Sequence, residues 1–291
     1  MEGLDQFITL PRSLDLHYVE WGDKAAPPLV LLHGWMDIAR SWDPVAKRLS
    51  KNYRVLALDF RGHGLSDCVG AGGNYDFNGY AVDILSLIEE AASSGPVILI
   101  GHSMGGMAGS KFAGAFPEKI RKFINVEGFG PPAMPPDVAP KRLAEWVKSW
   151  LAQAKKERKP YASVEEAAAR LRKQNPRLSE EFSLHLSRHG TEKGEDGSYR
   201  WRFDPLHKTP GSVPFDLEAA KACWRQIKSP TLVVVGELSE FKKFIPDWRE
   251  RVAVYPNARI AEIAGAGHMI HHEKPGELTA AIEGFLAESG K

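Results

Sequence analysis

The segment at residues 101–106 constrains the fold more than any other part of this sequence. It reads Gly-His-Ser-Met-Gly-Gly, it follows an apolar run at residues 96–100, and small residues dominate residues 107–113 after it. An apolar run, a tight turn and a helix-forming stretch in that order predict a strand, a sharp corner and a helix. The corner would hold Ser103 in a strained conformation, with glycines where a side chain would collide with neighbouring backbone. Because the helix N-terminus would face Ser103 and favour negative charge there, the segment predicts a nucleophile.

Apolar runs alternate with amphipathic segments up to residue 130 and again from residue 229, which predicts an α/β protein with a doubly wound, mostly parallel sheet. Residues 131–228 break this rhythm, because they begin with five prolines in ten residues and continue as three or four helical segments. We therefore predict a core made of residues 1–130 and 229–291, with residues 131–228 inserted between two core strands as a helical cap.

One predicted cap helix carries an apolar face. The residues on this face are Leu143, Trp146, Val147, Trp150, Leu151 and Ala154. Trp146 and Trp150 are first of all candidate core residues. Where their edge faces Ser103, they are also candidate substrate-binding residues.

The composition is that of an ordinary globular protein. Among 291 residues, 43% are apolar and 26% are charged, and the formal net charge is +1. This balance gives no electrostatic reason to expect nucleic acid or an anionic membrane surface as a partner. The two cysteines, Cys68 and Cys223, match no disulfide framework, and no apolar signal segment or membrane-spanning run is present. We expect a cytoplasmic monomer or homodimer.

A serine hydroxyl needs a base to accept its proton, and His268 is the best candidate. It follows a Gly-Ala-Gly turn after the last predicted core strand, downstream of Ser103. Two backbone N–H groups are needed to bind the oxyanion. Met104 directly follows the nucleophile, and Trp35 lies in a His-Gly-Trp turn at the end of an earlier strand. Trp35 and His102 are also candidate substrate contacts.

A metal site is not expected, although His271, His272 and Glu273 follow His268 closely. No second group of ligands with metal-binding spacing accompanies these three residues. The predicted chemistry also requires no cofactor.

These motifs resemble those of the α/β-hydrolase-fold superfamily along nearly the whole chain. The segments that carry the resemblance are residues 33–35, 59–67, 101–106, 116–119 and 267–268. Residues 101–106, 116–119 and 126–130 are particularly similar to the serine hydrolase-like group related to the haloalkane dehalogenases. Dehalogenases and epoxide hydrolases of this fold use an aspartate nucleophile, so Ser103 argues against both activities.

The sequence leaves open which acidic residue would orient His268. Most members of the superfamily carry an aspartate in a turn after the strand that follows the insertion, where this sequence reads Gly-Glu-Leu-Ser and ends at Ser239. Glu127, at the end of the strand before the insertion, matches an alternative acid position of some family members. We favour Glu127, with Glu240 and Glu237 as the alternatives.

The leading functional hypothesis is a serine hydrolase that acts on small to medium carboxylic esters. Thioesters, lactones and the carbon–carbon bonds of diketones require the same machinery, so the reaction class is better supported than the substrate. A cofactor-free haloperoxidase or acyltransferase is a further enzymatic alternative. A hydrolase-fold protein that binds a ligand without catalysis is the alternative from a different class.

Overall fold

An eight-stranded sheet forms the centre of the computed structural model, which describes residues 2–11, 14–91 and 95–288. In chain order the strands are β1 (Leu4–Leu10), β2 (Leu14–Trp21), β3 (Pro28–Leu32), β4 (Arg54–Leu58), β5 (Val97–His102), β6 (Ile120–Val126), β7 (Thr191–Lys193), β8 (Tyr199–Trp201), β9 (Thr231–Gly236) and β10 (Ala258–Ile263). The large sheet has the order β1-β2-β4-β3-β5-β6-β9-β10. Strand β2 is antiparallel to β1 and β4, and the other neighbouring strands are parallel. The predicted mostly parallel sheet is therefore confirmed.

Helices cover both faces of this sheet. In chain order they are α1 (Asp43–Leu49), α2 (Gly79–Ala91), α3 (Met104–Ala115), α4 (Ala139–Gln153), α5 (Val164–Gln174), α6 (Glu180–Gly190), α7 (Leu217–Trp224), α8 (Phe241–Phe244), α9 (Trp248–Val252), α10 (Ile270–Glu273) and α11 (Pro275–Ala287). None of those in the described part of the chain is long and apolar enough to cross a lipid bilayer.

Strand β3 shows why the central strands are apolar at every position. Leu29 and Leu31 belong to one core cluster together with residues of α1 and α11. Val30 and Leu32 point the other way and join residues of α2, α3 and α7. All four side chains are fully buried. A strand covered on both faces needs an uninterrupted apolar run, which is the pattern that predicted it.

The register of the parallel strands brings their carboxyl ends to one edge. His102 of β5 pairs with Val126 of β6, and Val126 is also paired with Val234 of β9. The residues that follow β5 and β6, Ser103 and Glu127, are therefore neighbours at this edge. In open parallel sheets, sites form at the carboxyl ends of the strands.

The chain between β6 and β9 adds no strand to the eight-stranded sheet in the described residues. It contains α4 to α7, and it also contains a β7–β8 hairpin that the sequence analysis did not predict. Glu192 faces Arg200 in this hairpin. The division of the chain into core and cap stays a prediction.

Helix α7 packs with the core helix α3, although the predicted boundary at residue 228 placed it in the cap. Trp224 is fully buried, and its indole Nε1 donates to Ser110 Oγ of α3 over 3.0 Å. A methyl group on Gly114 of α3 would lie 2.1 Å from the carbonyl oxygen of Cys223. The backbones of the two helices therefore touch.

Helix α4 is less buried than its apolar face predicted. Leu143, Val147 and Leu151 are 51%, 41% and 52% exposed. Trp146 and Trp150, on an adjacent stripe, are half-buried. The apolar residues of α4 are therefore not buried as a set, and the tryptophans are its more buried apolar residues.

Candidate active site

Ser103 occupies the corner between β5 and α3. Its backbone has φ 50° and ψ −111°, in a region that residues other than glycine rarely adopt. Its N–H group donates to the carbonyl oxygen of Val126 over 2.8 Å. A methyl group on Gly101 would lie 2.4 Å from the carbonyl oxygen of Gly105. The strand and the helix therefore meet this closely only with glycine at position 101, and the corner leaves the Ser103 side chain half-buried.

Three side chains form a continuous line of hydrogen bonds at this edge of the sheet. Ser103 Oγ lies 3.0 Å from His268 Nε2. His268 Nδ1 lies 3.1 Å from Glu127 Oε2. With Nδ1 protonated, the histidine donates to the glutamate and accepts from the serine. The arrangement has the geometry that a nucleophile, a base and an orienting acid require, and these three roles stay predictions.

Glu127 is buried, and its carboxylate accepts hydrogen bonds from three donors. Besides His268, the Gly236 N–H group donates to Oε1 over 2.8 Å, and the Ser239 hydroxyl donates to Oε2 over 2.6 Å. The backbone of Glu127 is also in the left-handed region, with φ 58°. Ser239 stands where most of the superfamily carries aspartate, and here it holds the carboxylate that comes from the neighbouring strand.

The two alternative acids lie elsewhere. Glu237 is exposed, and its Oε2 accepts from the Gly265 N–H group over 2.8 Å. Glu240 is exposed and pairs with Lys243 at 2.9 Å. Among the three glutamates of the sequence analysis, the structure brings Glu127 to His268.

Two backbone segments flank Ser103 as candidate oxyanion donors. Met104 is the first residue of α3, so its N–H group has no acceptor within the helix. The turn that contains Trp35 passes directly beside the nucleophile, since a methyl group on Gly34 would lie 3.5 Å from Ser103 Cβ. The oxyanion role of Met104 and Trp35 stays a prediction.

Buried imidazoles support the turn that contains Trp35. His33 Nε2 accepts from the Phe60 N–H group over 3.0 Å, and His63 Nε2 accepts from the Met36 N–H group over 3.3 Å. The Trp35 indole donates to the carbonyl oxygen of His207 over 2.9 Å.

His207 extends this support from the insertion, and the sequence analysis missed it. Its ring centroid lies 3.9 Å from that of His63. Burial lowers the pKa of His207 to about 4. Burial also lowers the pKa of His63 well below its ordinary value, followed by the charge of His207. The His63 ring must be neutral, because its Nε2 accepts from the Met36 N–H group and so must keep its lone pair. Nothing in the local sequence marked His207, since its contacts are with distant residues.

Asp37, His271 and His272 form a second group that the sequence analysis missed as a group. Nε2 of His271 and Nε2 of His272 donate to Asp37 Oδ2 over 3.0 and 3.1 Å. Although burial raises the pKa of Asp37, the two histidines hold it well below its ordinary value. One ligand atom from each residue lies within 4.8 Å of the others, so these three residues could hold a cation. Glu273 is not part of the group, because it pairs with Arg177 over 2.7 Å.

His102 is buried and forms a hydrogen bond to the loop that carries His268. Its Nε2 donates to the carbonyl oxygen of His268 over 2.9 Å, and its ring lies 4.3 Å from that of His271. Burial lowers the pKa of His102 well below its ordinary value. Because the His102 ring is almost completely buried, it offers no surface to a substrate. Its hydrogen bond instead holds the loop that carries His268.

A cavity of about 720 Å³ is lined by Trp35 and by Met269, the neighbour of His268, although Ser103, His268 and Glu127 are not themselves among its lining residues. Tyr161, Trp201 and Phe203 line it from the insertion. Its volume is in the range of small-molecule sites. The predicted substrate contact by Trp35 fits this cavity.

Trp146 and Trp150 are not among the residues that line the cavity. The Trp150 indole instead donates to the carbonyl oxygen of Gly73 over 3.3 Å. A substrate-binding role for these two tryptophans stays a prediction.

Comparison with known proteins agrees with this architecture. Residues 29–282 match the model of the alpha/beta hydrolase family. A serine hydrolase-like protein of Danio rerio is 26% identical over 278 residues, which cover 91% of this chain and 83% of the relative. The structure of a hypothetical protein from Pseudomonas aeruginosa PAO1 is similar with a TM-score of 0.88 and 29% identity, over 98% of this chain and 99% of that chain. The thioesterase domain from the curacin biosynthetic pathway has a TM-score of 0.86 and 26% identity, over 97% and 100% of the two chains. The resemblance drawn from the motifs is therefore confirmed.

Proposed function

Because this chain belongs to the alpha/beta hydrolase family, we propose that it is a serine hydrolase that cleaves small to medium carboxylic esters through an acyl-enzyme on Ser103. The single observation that carries the proposal is the line of hydrogen bonds from Ser103 through His268 to Glu127. A serine hydroxyl is a weak nucleophile at neutral pH unless a positioned base accepts its proton. The line of hydrogen bonds supplies that base together with the acid that orients it.

Acylation follows from this geometry. His268 Nε2 accepts the proton of Ser103 Oγ as the oxygen attacks the carbonyl carbon of the ester. Glu127 keeps the other ring proton on Nδ1 and stabilises the imidazolium. The N–H groups of Trp35 and Met104 bind the negative oxygen of the tetrahedral intermediate. His268 then gives its proton to the departing alkoxide, and the acyl group remains on Ser103.

Deacylation repeats the same steps with water. His268 accepts a proton from a water molecule, whose oxygen attacks the acyl carbon. When the second tetrahedral intermediate collapses, the histidine returns the proton to Ser103 Oγ and the acid is released. The reaction consumes one ester and one water and yields one acid and one alcohol. The steps use only side chains and backbone groups of this chain.

Replacement of the nucleophile tests the proposal. We expect Ser103→Ala to lower the turnover of 4-nitrophenyl butyrate by about 10⁴-fold or more, because the acyl-enzyme cannot form. A fluorophosphonate probe should label the wild-type protein at Ser103 and leave this variant unlabelled. Ser149→Ala, at a half-buried serine of α4 outside this line of hydrogen bonds, is the matched control and should be labelled like the wild type. Retained turnover by Ser103→Ala would refute the assignment, and a wild-type protein that stays unlabelled would favour the non-catalytic ligand-binding alternative.

A thioesterase is the second candidate function. It is favoured by the similarity to the thioesterase domain from the curacin pathway, which extends over 97% of this chain. The same three residues can serve both reactions, since an ester and a thioester differ only in the leaving group. The ratio of kcat/KM for an oxygen ester and a thioester with the same acyl chain decides between the two.

A further inference from the structure

The cavity lined by Trp35 and Met269 carries more positive than negative charge on its wall. The charged side chains that line it are Lys156, Arg158, Lys159, Arg170 and Lys208, together with Asp37 and Glu157. The chain as a whole has 38 basic and 37 acidic residues, so the excess of cations is local to this wall. Charge of one sign on a concave wall raises the local concentration of ligands of the opposite sign.

Some of these charges are already engaged. Arg158 pairs with Glu192 of the β7–β8 hairpin. Asp37 accepts hydrogen bonds from His271 and His272, as described above. In contrast, Lys156 and Lys208 form no ion pair within the described residues. Their charges are therefore available to a ligand.

Lys156 and Lys208 both line this cavity, and both side chains are exposed to solvent. Burial, followed by the charge of Lys156, lowers the pKa of Lys208. The Lys208 ammonium also lies 5.7 Å from the centre of the Phe203 ring, which lines the same cavity. Two like charges on one wall repel each other. An anion bound beside both lysines is attracted to each of them and so offsets this repulsion.

We propose that the substrate carries an anionic group of the carboxylate, sulfate or phosphate type, which binds at Lys156 and Lys208. The remainder of the substrate would lie along Trp201 and Phe203, with its acyl carbon at Ser103. This inference rests on the proposed hydrolase function and adds the charge of the substrate to it. It distinguishes the cavity from a purely apolar pocket for neutral esters.

Two matched pairs of substrates test the proposal. In the first pair, 4-nitrophenyl pentanoate is compared with mono-4-nitrophenyl glutarate, in which a carboxylate replaces the terminal methyl group. In the second pair, the pentanoyl thioester of N-acetylcysteamine is compared with that of coenzyme A, which adds phosphates on the thiol side. We expect the anionic member of at least one pair to have a kcat/KM at least about tenfold higher, and the advantage to shrink with added salt. The pair that shows it separates a carboxylate on the acyl side from a phosphate on the thiol side.

Variants test whether the preference for anionic substrates comes from Lys156 and Lys208. The double variant K156Q/K208Q should lower the anionic-to-neutral ratio of kcat/KM by about tenfold, mainly through KM. The control variant K24Q/K51Q removes two exposed lysines outside the cavity and should leave the ratio unchanged. A ratio near one in both pairs, or a ratio that K156Q/K208Q does not change, overturns the proposal.

Binding to the Ser103→Ala variant separates this inference from the proposed function. Calorimetry with the uncleaved members of each pair should show tighter binding of the anionic one. Selective binding without any wild-type turnover would support the anion site and overturn the hydrolase function. Equal affinity for both members would overturn the anion site, even where the wild type cleaves the esters.

Discussion

The Glu127 carboxylate accepts hydrogen bonds from His268, from the Gly236 N–H group and from the Ser239 hydroxyl. The sequence placed it at a strand end, next to a turn that lacks the usual aspartate, and left Glu240 and Glu237 open. In the structure, the Glu127 carboxylate reaches His268 across 141 residues of chain. Its three donors come from β9, from the loop after β9 and from the loop after β10. The sequence favoured Glu127 through its resemblance to an alternative acid position, but these contacts are non-local, so neighbouring residues could not show which glutamate meets His268.

Replacing each glutamate in turn tests the choice of acid. We expect Glu127→Gln to lower kcat for 4-nitrophenyl butyrate by on the order of 10⁴-fold, because an amide cannot stabilise the imidazolium or fix the tautomer of His268. Glu240→Gln and Glu237→Gln remove exposed carboxylates and should change kcat by less than about twofold. Near-native turnover in Glu127→Gln would show that another group orients the histidine.

At the scale of elements, the sequence predicted the strand, corner and helix around Ser103. It did not predict which elements the other helices pack against. The apolar run, the glycines and the small residues after Ser103 are all local signals, and the predicted corner is present. Helix α7 was placed in the cap because it follows a break in the strand–helix rhythm. The structure instead packs it on α3, where Gly114 and Cys223 touch. Whether α7 belongs to the core or to the cap stays a prediction. Helix α4 is less buried than α7, since its aliphatic stripe is exposed.

The contact between α3 and α7 gives a prediction of stability. We expect Gly114→Ala to lower the free energy of unfolding by about 2 to 3 kcal/mol, because the added methyl group meets backbone that cannot turn aside. Gly284→Ala in α11 is the matched control. A methyl group there has nothing within 4 Å, so it should raise the free energy of unfolding by about 0.5 to 1 kcal/mol through helix propensity. Denaturant unfolding of both variants measures the difference, and equal stabilities would contradict the close contact.

At the scale of the whole molecule, the protein holds a set of buried imidazoles around the catalytic edge. Burial lowers the pKa of His207 and of His271 to about 4. The pKa values of His63 and His102 are also lowered, again by burial first. Their sequence neighbours do not reveal this, because burial depends on the complete fold.

Because the pKa values of these histidines are lowered in the folded state, we expect the protein to be less stable in acid. A group with a lower pKa in the folded state binds more protons when unfolded, so the free energy of unfolding falls as pH decreases from about 6.5 towards 4. His207 and His271 should each contribute roughly 3 kcal/mol to this loss. Guanidinium unfolding at pH 7.5, 6.5, 5.5 and 4.5 measures it. His207→Gln should make the dependence shallower, whereas a free energy that stays constant from pH 7.5 to 5.5 would contradict the prediction.

The sequence by itself determined the doubly wound sheet, the corner at Ser103 and the order of nucleophile and base. These features depend on periodicity, on glycine sterics and on residues a few positions apart. Only the tertiary structure decided which glutamate meets His268, that Asp37 joins His271 across 234 residues of chain, and that Lys156 and Lys208 share one cavity wall. The physical reason is that hydrogen bonds and charges act between side chains in space, and the packing of the sheet edge against the inserted segment sets those distances.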